Sequence, residues 1–198
     1  MIGLIKYRAG NIASVSNALD RLDIDYFLAQ TPEELEKADA IIFPGVGHAG
    51  AAMESLQENG LDEWLKQTDK PVLGICVGMQ LLYESSAEGE THGLGIIPGR
   101  LERFDESQEK VPHMGWNTFR INRDNPLLEG IEEDDFVYFV HSYFAPENEC
   151  SVASCSYIHP FSAVVEKDNF FGVQFHPEKS GKVGARILQN FANYVYNN

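Results

Sequence analysis

Two short runs hold the residue types of a nucleophile, its base and the group that orients the base: Gly74-Ile75-Cys76-Val77-Gly78 and, far downstream, Gln174-Phe175-His176-Pro177-Glu178. Pro71 to Ile75 is a short apolar run of the kind that forms a buried strand, and Gly78 to Glu84 has helix-forming composition. Cys76 therefore falls on a strand-to-helix turn, where glycines two residues to either side leave room for a sharp elbow that lifts the thiol above the sheet. Free backbone N–H groups and the helix dipole at that point are expected to lower the thiol pKa, and the Val77 N–H points where an oxyanion would form. Pro177 pushes His176 into an extended conformation, which sets His176 and Glu178 on the same side. Glu178 can then hold one imidazole nitrogen and leave the other for the cysteine. Each run alone has a plainer reading, a buried small hydrophobe and a surface loop. The flanking glycines and the i, i+2 spacing favour reading them together, as a site for acyl transfer through a thioester.

The chain has 198 residues, enough for one sizeable core, and is read as a single domain over residues 1–198. Its formal net charge of -15, with no basic stripe, argues against a nucleic-acid partner. Neither a signal peptide nor a long apolar span is evident, so no membrane partner is expected. Three cysteines, Cys76, Cys150 and Cys155, form no C-x-x-C pair and point to a reducing, cytoplasmic setting. Cys150 and Cys155 read as structural thiols, with a disulfide between them as the lesser alternative. The histidines, His48, His92, His113, His141, His159 and His176, show no ligand spacing, and neither a metal nor a cofactor is expected.

The elements that must position the site alternate in the first half. Strands are expected at Ile2–Ile5, Asp25–Leu28, Ala40–Phe43 and Val72–Ile75. Helices are expected after Asn11 as N-cap, with Ile12, Val15, Leu19 and Leu22 on one face, then over 32–37 behind Thr31, 49–57 and 61–66. Such alternation implies an α/β fold, a mostly parallel sheet with helices on both faces. From about Ile96 the pattern shifts to short strands: 100–104, 118–121, 136–140, 151–155, 163–166 and 170–174, the last pair joined at Asp168-Asn169. These should add antiparallel strands at the sheet margin, before a C-terminal amphipathic helix over 182–196. Ligands bind beyond the carboxyl ends of parallel strands, where the Pro44-Gly45-Val46-Gly47 turn, Cys76 and His176 all fall. That turn is either a simple connection or the carrier of a second oxyanion donor, from Val46 or Gly47.

With these runs in view, Gly74 to Gln80 and Phe175 to Glu178 resemble the class I glutamine amidotransferases, a cysteine-histidine-glutamate family on a flavodoxin-like sheet. Further segments, Pro44 to His48, Val111 to Asn117, Phe139 to Tyr143 and Gly172 to Gly181, resemble the branch formed by the glutaminase subunits of imidazole glycerol phosphate synthase. The resemblance implies hydrolysis of L-glutamine to glutamate and ammonia, with Cys76 as nucleophile, His176 as base and acid, and Glu178 orienting it. It also implies Gly47, Gln80, Glu88, His141, Ser142 and Tyr143 around the glutamine, and Val46 and Val77 near the oxyanion. Glu88 equally suits a solvated surface position. The implied partner is a (β/α)8-barrel cyclase, held in a heterodimer, that uses the ammonia to make imidazole glycerol phosphate and aminoimidazole carboxamide ribotide in histidine biosynthesis. The segment 112–117 is either the docking surface, since Trp and Met are enriched at interface cores, or a buried turn with Trp116 in the core. One departure stands out: Lys6-Tyr7-Arg8-Ala9-Gly10-Asn11 occupies the place where the family has Asp-Tyr-Gly before Gly-Asn. Rival readings are a sister glutaminase for anthranilate, guanylate or carbamoyl phosphate synthesis, a hydrolase of peptides or γ-glutamyl conjugates, and a catalytically silent binding protein on the same fold.

Overall fold

Strands β1 (Ile2–Ile5), β2 (Tyr26–Ala29), β3 (Ala40–Gly45) and β4 (Val72–Cys76) alternate with helices α1 (Ile12–Arg21), α2 (Pro32–Leu35), α3 (Ala49–Glu58) and α4 (Leu61–Gln67). The computed structural model describes residues 1–8 and 11–197. Every residue of β1, β3 and β4 is buried, as apolar strands covered on both faces must be. After β4 come α5 (Val77–Gln80), β5 (Tyr83–Ser86), β6 (Thr91–His92), β7 (Ile97–Arg103), β8 (His113–Asn117) and β9 (Arg120–Ile121). The chain ends with β10 (Val137–His141), β11 (Tyr143–Phe144), β12 (Ser151–Tyr157), β13 (His159–Lys167), β14 (Phe170–Val173) and α6 (Gly181–Asn197).

The main sheet has the order β2-β1-β3-β4-β14-β13-β12-β9. It is parallel from β2 through β14 and antiparallel from β13 outward, which is the expected parallel sheet with an antiparallel margin. The chain steps from β1 out to β2, then back past β1 to β3 and β4. Right-handed crossovers in those opposite directions put α1 on one face and α3 and α4 on the other. They also open a crevice at the carboxyl ends of β1 and β3, beside β4, where the strand order reverses. Two smaller sheets, β10-β8 and β11-β7-β5-β6, sit beside this edge.

The helix expected over 78–84 is only four residues long. The carbonyls of Leu81, Leu82 and Tyr83 accept from Leu94, Gly95, Ile96 and Ile97 N–H groups, so they cannot continue a helical ladder, and Tyr83 onward pairs with β7 as β5. Its dipole is correspondingly small, which leaves the individual N–H groups of the turn as the asset. The segment 112–117 is not a buried turn with Trp116 in the core: His113–Asn117 is β8, paired with β10, with His113 buried while Trp116 and Met114 are 56% and 62% exposed. Thr31 caps α2 as expected, accepting from the Glu34 N–H at 3.4 Å. Cys150 and Cys155 are buried free thiols. Among the described residues no helix is long and apolar enough to cross a membrane.

Candidate active site

Cys76 closes β4 with φ 53° and ψ -109°, a conformation that L residues avoid and that marks a strained elbow. The flanking glycines are sterically required. A Cβ on Gly78 would lie 1.9 Å from the Phe43 carbonyl oxygen, and one on Gly74 would lie 2.8 Å from the Gly78 backbone. Gly45, at the end of β3, packs as closely, with the Gly78 nitrogen 2.7 Å from where its Cβ would be. The turn holding Val46 and Gly47 is thereby pressed against the start of α5.

His176 follows β14, the strand hydrogen-bonded to β4, and its Nδ1 lies 2.8 Å from Glu178 Oε1. The side chains of both are fully buried, at 1% and 0% exposure. Burial alone would push the imidazole down, but hydrogen bonds to Cys76 and Glu178 and the charge on both outweigh it, and His176 is raised to about 10. An imidazolium facing the sulfur is placed to stabilise negative charge there. Glu178 Oε1 also accepts from Asn11 Nδ2 at 3.1 Å, while Oε2 is buried with no partner among the described residues. The sequence casts Asn11 as the cap of α1. Its side chain makes no cap bond and instead holds the carboxylate, a contact across 167 positions that no local pattern could reveal. The His176 backbone is pinned to β10: its N–H donates to the Tyr138 carbonyl at 2.9 Å, and Ser180 Oγ joins His176 O at 2.6 Å to Tyr138 N at 2.9 Å.

A cavity of about 480 Å³ opens over the sulfur. It is lined by Val46, Gly47, Cys76, Val77, Gln80, Glu88, His141, Ser142, Tyr143 and His176, together with Asn11, Pro112, Val140 and Lys179. Every sequence-expected site residue except Glu178 is on this wall, and Glu178 stands behind His176. Glu88 is half-buried and accepts from the Ala49 N–H at 2.7 Å, holding the start of α3 rather than lying free on the surface. Lys6 does not line the cavity, and Arg8 pairs with Glu58, away from the sulfur; Ala9 and Gly10 lie outside the described residues.

A chain of hydrogen bonds runs from the sulfur to β8. Gln174 Nε2 donates to Cys76 Sγ at 3.8 Å, and Gln80 Nε2 donates to Gln174 Oε1 at 3.0 Å and to the Tyr143 carbonyl at 3.1 Å. His141 Nδ1 faces the same carbonyl at 2.8 Å, and its Nε2 lies 3.1 Å from His113 Nδ1. Because a carbonyl only accepts, His141 must carry its proton on Nδ1 and accept at Nε2 from His113. Both nitrogens of His141 are thus committed internally, and its contribution to the cavity wall is packing. Burial pushes His141 down to about 3, with its bond to Tyr143 only partly opposing this, and burial pushes His113 down to about 4. The ring protons of both should show no NMR titration step between pH 8 and pH 5. Since the unfolded histidines protonate near 6.5, this pair favours the fold fully above that pH and less as pH falls toward 4. A step near pH 6.5 for either ring would contradict the assigned proton order.

Residues 7–194 match the family model of Glutamine amidotransferase class-I. The chain is 50% identical over 193 residues to "Imidazole glycerol phosphate synthase subunit HisH" of Bacteroides thetaiotaomicron, covering 96% of this chain and 97% of that one. The chain is a class I glutamine amidotransferase of the HisH group. The HisH protein of Archaeoglobus fulgidus is 45% identical to this amidotransferase, covering 98% and 99% of the two chains. Among solved structures, a glutamine amidotransferase superposes with a TM-score of 0.76 at 18% identity, over 98% of both chains. PurLQS from Thermotoga maritima gives 0.71 at 21% identity, over 98% and 97%. At those identities the likeness carries the amidotransferase fold alone, while the relatives at 45–50% place the chain in its branch.

Proposed function

We propose that this amidotransferase hydrolyses L-glutamine to glutamate and ammonia, and passes the ammonia to a (β/α)8-barrel cyclase subunit making imidazole glycerol phosphate and aminoimidazole carboxamide ribotide in histidine biosynthesis. The observation that carries the proposal is the meeting of Cys76 and His176 at one cavity, with Glu178 bonded behind His176, in a chain half-identical to HisH proteins. In this reading the Cys76 thiolate attacks the side-chain amide carbon of glutamine, forming the C–S bond and an oxyanion. The Val77 N–H and a second donor from the Val46–Gly47 turn stabilise that oxyanion. His176 gives its proton to the amide nitrogen, the C–N bond breaks, and ammonia leaves from a thioester. His176, neutral again, takes a proton from water as the water attacks the thioester. The C–S bond then breaks, glutamate departs and the thiolate–imidazolium pair is restored. Glu178, itself held by Asn11, keeps the imidazole aimed through both halves.

Glutamine's α-ammonium and α-carboxylate need paired polar groups inside the cavity. Gln80 uses both Nε2 protons internally, which leaves its Oε1 as an acceptor for the ammonium. Glu88 has a second carboxylate oxygen for the same role, and Gly47, Ser142 and Tyr143 complete the wall.

The outer face of β8 and β10 is the proposed docking surface. Met114, Trp116 and Phe136 are exposed, Trp116 meets Tyr138 edge-on at 5.8 Å, and Pro112 and Val140 continue the face into the cavity wall. Tyr138 also anchors the His176 backbone, so a partner seated on Trp116 presses directly on the frame of the site. Trp116→Ala is expected to weaken cyclase binding by ~1–2 kcal/mol, or roughly 5–30-fold, with an unchanged melting temperature. Unchanged affinity in a titration of folded subunits would remove this face from the interface. We further propose a cytoplasmic heterodimer and a single glutaminase domain over residues 1–198, the latter supported by one continuous apolar core.

The test is glutamate release from glutamine by the purified chain, alone and with the cyclase partner and its ribonucleotide ligand. Strong activation by the partner is the expected result. Release independent of any partner would favour a free-standing hydrolase, and activation by a different synthase would favour a sister glutaminase.

A further inference from the structure

We propose that Gln174 is a further catalytic residue, a fixed hydrogen-bond donor that stabilises the Cys76 thiolate through its side-chain N–H. The inference rests on the reading of Cys76 as nucleophile. It assigns work to a residue that the mechanism above leaves unused.

The direction of the Gln174 amide follows from its neighbours. Tyr143 O can only accept, so the Gln80 atom 3.1 Å from it is the NH2 group. That same NH2 faces Gln174 at 3.0 Å, so the Gln174 atom there must be its carbonyl oxygen. The remaining end of the Gln174 amide, its NH2, then faces Cys76 Sγ at 3.8 Å. No alternative flip satisfies this set, because it would oppose two NH2 groups. The side chain cannot exchange this contact for water, as Gln174 is 0% exposed and its backbone N–H is bound to Ala163 O at 2.9 Å. An N–H held beside sulfur in a dry site interacts more strongly with a thiolate than with a thiol.

The other titratable groups around the sulfur have different tasks. His176, with Glu178 behind it, is the proton carrier, and Glu88 and Lys179 lie further along the cavity wall. Tyr7, from the segment after β1, gives its hydroxyl proton to Pro44 O at 2.7 Å and has none for sulfur. Gln174 is thus a neutral donor whose effect does not change with its own protonation. Acylation of the sulfur moves negative charge to the oxyanion and removes the charged acceptor. Hydrolysis of the thioester returns the electron pair to sulfur and restores it. The contact therefore favours sulfur as the leaving group in the second half of the reaction.

Gln174→Met keeps length and burial and removes the N–H. The readout is the pH profile of Cys76 carbamidomethylation by iodoacetamide, followed on the Cys76 peptide by mass spectrometry so that Cys150 and Cys155 do not contribute. The midpoint belongs to the Cys76–His176 pair, so the difference between variant and parent is the quantity that matters. The variant's midpoint should rise by about one pH unit, with alkylation about tenfold slower at pH well below both midpoints and an undiminished high-pH plateau. An unmoved midpoint in a folded variant would overturn the assignment. Should the variant fail to fold, the parent protein supplies the test. The Gln174 side-chain amide resonances should shift through the alkylation midpoint and lose that step in Cys76→Ala. An amide that does not respond to pH overturns the proposal equally. Alkylation needs no glutamine, so failure here is separable from failure of the glutaminase reading.

Discussion

Cys76→Ala should abolish glutamate release, lowering kcat by at least ~10⁴-fold with the partner present, a loss of about 5–6 kcal/mol of transition-state stabilisation. Without sulfur there is no thioester, and Cys76 is the one thiol among the described residues that line the cavity. Alanine fits the site because the side chain is small and the strain belongs to the backbone. The φ of 53° persists in the variant, so the melting temperature should change little. Glutamine should still occupy the cavity, making the variant a binding-competent control in calorimetry. Retention of more than ~1% of the parent rate in a preparation free of other glutaminases would defeat the covalent mechanism.

Gly78→Ala should unfold or badly loosen the site. The new Cβ would sit 1.9 Å from the Phe43 carbonyl oxygen, on a backbone that is buried and paired within β3, so no flexible side chain can yield. Separating β3 from α5 breaks close packing at the centre of the sheet and moves Cys76 with it. A loss of about 3 kcal/mol or more is expected, seen as a fall of roughly 6–12 °C in Tm, together with loss of activity. Gly95→Ala is the comparison. Gly95 has a positive φ of 69°, unlike Gly78, but nothing lies within 4 Å of its Cβ position. That substitution should cost only the ~1 kcal/mol of left-handed strain. Equal effects at the two sites would mean that the approach of α5 to Phe43 is not what fixes the elbow.

The difference between these glycines is informative about what could be read in advance. The spacing around Cys76 announced a tight turn, and the alternation of apolar runs with 3.6-periodic segments announced the parallel sheet, because burial on both faces leaves a direct imprint on composition. The four parallel strands of the first half are accordingly found within a few residues of expectation. The segment 78–84 misled because its helix-forming composition is a local tendency, and it lost to backbone pairing with residues 94–97. The segment 113–117 remained open because alternate burial on a two-stranded sheet needs the partner strand, β10, to become visible.

The types and spacing of Cys76, His176 and Glu178 by themselves pointed to acyl-transfer chemistry, since a candidate nucleophile, base and orienting carboxylate are recognised from residue types and short-range geometry. The tertiary structure decided which groups surround them. Asn11 reaches Glu178 across 167 positions, Gln174 reaches the sulfur across 98, and His141 is turned inward by His113. Such contacts arise when strands distant in sequence become neighbours in the sheet, and a hydrogen bond between side chains leaves no periodicity along the chain. The same is true of the exposed face of Met114 and Trp116, which is set by which side of β8 the core takes.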